Sequence, residues 1–87
     1  MGNIYFHEEA WEDYLYWQTQ DKKTLRKINE LIRDILRNTY SGIGKPEALK
    51  NALHGYWSRR IDEKNRIVYC QKDDGIYIIS CRGHYGE

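Results

Sequence analysis

The stretch that decides the fold is residues 56–82, which read YWSRRIDEKNRIVYCQKDDGIYIISCR. It contains three runs rich in β-branched and aromatic residues, and two short polar breaks separate them. Such runs are typical of antiparallel strands joined by hairpin turns. The predicted strands span 56–62, 66–72 and 75–82. The second half of the chain therefore predicts an antiparallel sheet.

The residues before this stretch predict a helical hairpin. Apolar residues recur at three- and four-residue spacing over 8–18 and again over 25–36. Asp21 stands just before the second run, where a carboxylate can cap a helix. A short β-favouring run at 3–6 precedes both helices. We expect residues 1–87 to form a single α+β domain, with an N-terminal strand and a two-helix hairpin packed on one face of a mainly antiparallel sheet. The other face is expected to be open.

The composition is that of an ordinary globular protein, with 40% hydrophobic residues, 31% charged residues and a net charge of +1. The charge is unevenly distributed, because residues 1–21 carry five acids and no Lys or Arg, a charge of −5, whereas residues 22–87 carry fourteen bases and eight acids, a charge of +6. A basic surface is compatible with a phosphate-rich partner.

The sequence contains no apolar run that could span a membrane and no signal-peptide core. The expected location is therefore cytoplasmic, with no membrane partner. No spacing of cysteines and histidines resembles a zinc site, so neither a metal nor another cofactor is expected.

Candidate catalytic residues stand in a loop and at two strand ends, and they suit cleavage of RNA. The RNA supplies its own nucleophile, the 2′-hydroxyl, so the protein must supply a base, a cation for the phosphoryl oxygens and an acid for the leaving 5′ oxygen. Glu47 follows the only proline, Arg66 begins a strand, and His84 and Tyr85 follow the last strand. Tyr85 can stack on a base. Taken alone, a loop glutamate is most often merely solvated, and a histidine near a terminus is usually inert.

Arg59 and Arg60 lie on the strand before the turn that leads to Arg66. The three arginines together predict a basic edge suited to phosphate. The competing interpretation is a set of surface ion pairs with Asp62 and Glu63, which is the commoner outcome for arginines at strand ends.

The register of the last hairpin raises a difficulty. With a turn tip at residues 73–75, strict alternation along the strands puts Tyr85 on the same face as Arg66 and His84 on the other face. Gly83 can adopt backbone angles that break this alternation, and it would then allow His84 to turn back toward Arg66.

Six stretches carry a family resemblance, and they occur together and in order: WEDYLYW at 11–17, KINELI at 27–32, GKPEALK at 44–50, WSRRI at 57–61, RIVY at 66–69 and CRGHY at 81–85. In these stretches the chain resembles the YoeB toxin family, a branch of the RelE-type messenger-RNA interferases. The resemblance covers nearly the whole sequence. Gly86 and Glu87 depart from it, because family members often end at or near the His-Tyr pair.

The resemblance implies a RelE-like fold. It also implies that the protein cleaves messenger RNA on the 70S ribosome, in the A site of the 30S subunit, without a metal. This cleavage would inhibit translation. It implies the following roles: Glu47 as general base, His84 as general acid, Arg66 as stabiliser of the phosphorane, Tyr85 as an orienting or stacking group, and Lys50 and Arg60 as accessory basic positions. Together with Arg59 of the basic edge, Lys50 and Arg60 are the predicted RNA-binding residues.

The resemblance also implies a tightly bound antitoxin of the YefM type, and homodimers occur in this branch. Two alternatives remain open. ParE-type toxins share the architecture but bind DNA gyrase without this catalytic set, and a decayed domain could retain the fold and only sequester an antitoxin.

Overall fold

The structure is a computed structural model, and it describes residues 2–84. Its elements are β1 (Asn3–Phe6), α1 (Glu8–Gln20), α2 (Lys22–Arg37), β2 (Glu47–Ala48), a short 3-10 helix (Asn51–Leu53), β3 (Trp57–Arg60), β4 (Arg66–Lys72) and β5 (Gly75–Ser80). The five strands form one sheet in the order β1-β5-β4-β3-β2. Only β1 is parallel to its neighbour, so the predicted α+β fold with a mainly antiparallel sheet is confirmed.

The two helices form the predicted hairpin. The Asp21 side chain accepts hydrogen bonds from the backbone N–H groups of Lys23 and Thr24, so the predicted cap of α2 is confirmed. The apolar stripe of α2 is buried in the core, as expected. No helix within residues 2–84 is long and apolar enough to cross a membrane.

Fewer residues of helix α1 are buried than its apolar spacing predicts. Ala10 and Trp17 are buried against the sheet, whereas Trp11 is 45% exposed and Leu15 is 37% exposed. The buried pair is spaced seven residues apart and so lies on one line along the helix. Trp11 and Leu15 stand to the sides of that line and remain partly exposed.

The hairpin of β4 and β5 contains a register shift that strict alternation does not predict. Lys72 pairs with Gly75 across the turn, but the pairing shifts between Val68 and Tyr69 so that Val68 stands opposite Ser80. A bulge of this kind reverses the alternation of side chains beyond it. Cys81 is accordingly buried in the core.

The helices cover one face of the sheet, and the core lies between them and residues such as Ile67, Tyr69 and Ile78. The intervening residues of the central strands point to the opposite face. This face is less open than expected, because Ser58, Val68 and Ser80, which stand in one row across three strands, have no solvent exposure.

Arg59 lies on the face of β3 that the helices cover, and its side chain is fully buried. The guanidinium donates to the Asp34 carboxylate at 2.6 Å, to the Tyr69 hydroxyl at 3.1 Å, and to backbone carbonyls of the segment 38–43. All the N–H groups of this side chain are therefore used inside the protein. The prediction that Arg59 binds RNA at an exposed basic edge is wrong, because its charge is needed to hold this segment.

The partners of Arg59 hold one another as well. The Tyr69 hydroxyl donates to the Thr39 carbonyl at 2.7 Å, and the backbone N–H of Ile43 donates to the Asp34 carboxylate at 3.1 Å. The hydrogen bond from Arg59, followed by that from Ile43, holds the pKa of Asp34 below its usual value. Strand β3, helix α2 and the connection that leads to Glu47 are thus joined at one ion pair, whose arginine is fully buried.

We predict that Arg59→Met lowers the free energy of unfolding by about 3 kcal/mol, because the Asp34 carboxylate and several carbonyls lose their donor. The matched control is Arg60→Met, which removes an exposed arginine at the next position of the same strand and should change stability by less than about 0.5 kcal/mol. Urea denaturation measures both. Equal losses in the two variants would contradict the assigned role of Arg59.

Candidate active site

A polar cluster forms where strands β2, β3 and β4 lie side by side on the face away from the helices. Glu47 stands opposite Ser58 in the pairing of β2 with β3, so their side chains share this face. Arg66 begins β4, and Ser58 pairs with Val68 two residues further along the same strand. Glu47, Ser58 and Arg66 are thereby brought together from three strands. The two-residue strand β2, which the sequence pattern did not predict, is what fixes Glu47 to the sheet.

One nitrogen of Arg66 connects the cluster. Its Nη1 lies 3.3 Å from Oε1 of Glu47 and 3.1 Å from Oγ of Ser58. Nη1 carries two hydrogens, so these two acceptors use both of them. The Nε and Nη2 groups of Arg66 make no hydrogen bond to any residue within 2–84. In this part of the chain Arg66 forms no ion pair with Asp62 or Glu63, so the competing interpretation of a surface ion pair does not apply to Arg66.

The ion pair between Glu47 and Arg66 is weak. Its 3.3 Å length exceeds the range of about 2.7–2.9 Å typical of charge-assisted hydrogen bonds. The Glu47 side chain is 54% exposed, whereas that of Arg66 is 12% exposed. Because the carboxylate is half exposed and its contact is long, water can replace the guanidinium as its partner, whereas the largely buried guanidinium has less access to water. The arginine is the fixed partner and the glutamate the movable one.

The chain after β5 returns to the start of β4. The backbone N–H of Arg66 donates to the Gly83 carbonyl at 2.9 Å, and the backbone N–H of Gly83 donates to the Asn65 side chain at 2.8 Å. Gly83 has a φ of 90°, in the left-handed region that favours glycine, as its predicted role requires. His84 is the next residue and is exposed. Because of the bulge, the strict alternation that assigned His84 to the face opposite Arg66 does not hold.

Helix α1 anchors the residues that lead into Gly83. The Cys81 N–H donates to the Asp13 carboxylate at 2.9 Å, and the Trp17 indole donates to the Cys81 carbonyl at 2.8 Å. The Arg82 guanidinium carbon lies 3.6 Å from the centre of the Tyr16 ring, a cation–π contact. The backbone is therefore fixed on both sides just before His84. Burial, with a smaller contribution from Asp13, raises the pKa of Cys81 to about 12, so its thiol is not a nucleophile.

The other predicted site residues have different positions. Arg60 is exposed and stands opposite Arg66 in the pairing of β3 with β4. Lys50 is exposed at the start of the 3-10 helix. Arg59 lies on the opposite face, in the buried contact described above, and Tyr85 lies outside the described residues. Within residues 2–84, no group of three or more His, Cys, Asp or Glu side chains could hold a metal ion.

Ser58 is the site residue that the sequence analysis missed. A signal for it existed, because side chains alternate along a strand and Trp57, Arg59 and Ile61 would then share a face. That alternation separates Arg59 from Ser58 and Arg60. It assigns Ser58 and Arg60 to the face of Arg66, and Arg59 to the other face.

Comparison with known proteins identifies the family. A sequence model described as the YoeB-like toxin of the bacterial type II toxin-antitoxin system matches residues 6–85. The chain belongs to this family. It is 54% identical over 82 residues to Toxin YoeB of Escherichia coli strain K12, an alignment that covers 94% of this chain and 98% of that toxin.

Solved structures of YoeB toxins have the same fold. The YoeB dimer from Staphylococcus aureus matches with a TM-score of 0.89 and 54% identity, over 95% of this chain and 97% of that one. A heterotetrameric YoeB-YefM toxin-antitoxin complex from Staphylococcus aureus contains a chain that matches with a TM-score of 0.89 and 52% identity, over 98% of this chain and 99% of that one. The predicted resemblance to the YoeB family is confirmed.

Proposed function

We propose that this toxin is a ribosome-dependent endoribonuclease that cleaves messenger RNA in the A site by metal-independent general acid–base catalysis, and that it thereby inhibits translation. The observation that carries the proposal is the convergence of Glu47 and Arg66 on one face, with the backbone of Gly83 hydrogen-bonded to Arg66. An acid, a base and a cation are the groups that this reaction requires.

The proposed reaction begins at the 2′-hydroxyl of the RNA. Glu47 accepts its proton, the 2′ oxygen attacks the adjacent phosphorus, and the bond from phosphorus to the 5′ oxygen breaks. His84 donates a proton to that leaving oxygen. The products are a cyclic 2′,3′-phosphate and a free 5′-hydroxyl, so no water or metal enters the cleavage step.

Arg66 stabilises the charge that develops on the phosphorane. Its Nη1 is held by the protein, whereas Nε and Nη2 make no hydrogen bond to residues 2–84. Those two nitrogens form one edge of the guanidinium, and this edge can bind two phosphoryl oxygens together. Such a donor is useful because it is oriented before the charge appears.

Exposed residues around this centre provide contacts for the message. Arg60 stands beside Arg66 on the neighbouring strand, and Lys50 follows Glu47 by three residues. Both cations would bind phosphates that flank the cleaved bond. Tyr85 would stack on a base or orient the substrate. The ribosome would supply the message in an extended form that fits this surface.

An antitoxin of the YefM type is the proposed partner, by analogy with the Staphylococcus aureus YoeB-YefM complex. A homodimer is proposed by analogy with the YoeB dimer of the same organism. Co-expression of the cognate antitoxin should restore growth to cells that produce this toxin.

We predict that Glu47→Gln, Arg66→Ala and His84→Gln each lower the cleavage rate of messages on translating ribosomes by about 100-fold or more, because each removes one of the three chemical roles. Primer extension on ribosome-bound messages measures the cuts. The matched control is Glu63→Gln, which neutralises an exposed acid in the neighbouring turn and should cut like the wild type.

Wild-type cutting by all three catalytic variants would contradict the proposed mechanism. A wild-type protein that leaves messages intact and instead blocks DNA supercoiling by gyrase would favour the ParE-type alternative. A protein that does neither, yet binds its antitoxin, would be the decayed domain.

We also predict a bell-shaped pH profile for single-turnover cleavage between about pH 5 and pH 9, since the base must be ionised and the acid protonated. A flat wild-type profile would contradict the assignment of Glu47 and His84 as base and acid.

A further inference from the structure

We propose that Ser58 is a positioning residue for Arg66: its hydroxyl holds Nη1 so that the Nε and Nη2 edge faces the scissile phosphate. The inference rests on the proposed function and adds to it a residue that fixes the orientation of the phosphate-binding cation.

The position of Ser58 leaves its side chain little freedom. It lies in the middle of β3, paired with Glu47 on one side and Val68 on the other. It has no solvent exposure. The Oγ atom accepts from Nη1 of Arg66 at 3.1 Å. A short, buried side chain on a central strand is a more rigid acceptor than a half-exposed glutamate at the end of a longer side chain.

The arrangement of donors on Arg66 defines what Ser58 contributes. Arginine carries five N–H groups in a planar fork. Two of them, both on Nη1, are used by Glu47 and Ser58. The other three lie on Nε and Nη2, which make no hydrogen bond to residues 2–84, and they are the donors that we assign to phosphate. An anchor on Nη1 therefore fixes the plane of the fork without occupying the edge that binds the ligand.

The anchor matters most when the reaction begins. Glu47 must turn toward the 2′-hydroxyl to accept its proton, and it then no longer holds Nη1. Ser58 remains as the acceptor, so the guanidinium keeps its orientation while charge develops on the phosphate. Without Ser58, Arg66 would depend on the same carboxylate that must leave, and its fork could rotate.

The chain provides a matched control in Ser80. This serine also faces away from the helices, also has no solvent exposure, and stands on the other side of Val68. Its Oγ is buried and has no hydrogen-bond partner among the described residues. Ser80→Ala and Ser58→Ala thus delete the same buried atom from the same face, but only one deletion removes a contact with Arg66.

The experiment measures single-turnover cleavage on ribosomes programmed with one message, together with thermal unfolding of each variant. Ser58→Ala should lower the maximal rate by about 10-fold, as expected for one lost hydrogen bond to a charged group, and change the half-saturating toxin concentration by less than about twofold. Ser80→Ala should cut at the wild-type rate. Ser80→Ala should unfold at or slightly above the wild-type midpoint and Ser58→Ala somewhat below it, because only Ser58→Ala removes a hydrogen bond, and both variants should remain folded at the assay temperature.

A double-mutant cycle separates positioning from general damage. If Ser58 acts through Arg66, adding Ser58→Ala to Arg66→Ala should cause no further loss. A further loss of about 10-fold in that background would overturn the inference, and so would equal losses in Ser58→Ala and Ser80→Ala. If the wild-type protein cleaves and Ser58→Ala cleaves at the same rate, this inference alone is overturned. If the wild-type protein does not cleave messages at all, the proposed function is overturned.

Discussion

The ion pair between Arg59 and Asp34 is the interaction on which the rest of the structure depends. It joins strand β3 to helix α2 and, through the carbonyls of residues 38–43, to the connection that follows the helix. That connection leads directly to Glu47. A buried charge of this kind is costly to desolvate, and it is tolerated because every donor of the guanidinium has an acceptor. The position of the candidate base therefore depends on a contact on the opposite side of the sheet.

Arg59 and Arg66 lie on neighbouring strands but on opposite faces of the sheet. Arg59 faces the helices and uses all its donors within the protein. Arg66 faces away from them, and within residues 2–84 its guanidinium donates hydrogen bonds through Nη1 alone. The same side chain chemistry serves folding on one face and, in our proposal, phosphate recognition on the other. The difference follows from the two-residue period of a strand and from which face the helices cover.

Local signals predicted most of the fold. The apolar period of α2, its Asp21 cap and the β-rich runs are read within a few neighbouring residues, and the structure contains all of them. The register shift at Val68 was not predictable in this way, because it is coupled to the anchoring of Cys81 by α1, more than sixty residues away in sequence. The burial of Arg59 was missed for a similar reason, since its acceptors lie on α2 and the following loop. Glu47 and Arg66, both named from the sequence, meet in the structure, whereas Ser58 was missed although the alternation along β3 assigned it to the face of Arg66.

In the proposed mechanism, Glu47, Arg66 and His84 surround one phosphate. The most direct measurement is a structure of the protein on a ribosome whose message carries a 2′-O-methyl group at the cleaved nucleotide, which blocks the nucleophile. In that structure we expect the Glu47 carboxylate within about 3.5 Å of the 2′ oxygen, Nε and Nη2 of Arg66 on the phosphoryl oxygens, and the His84 imidazole beside the 5′ oxygen. A phosphate bound elsewhere, or His84 on the helix-covered side of the sheet, would contradict it.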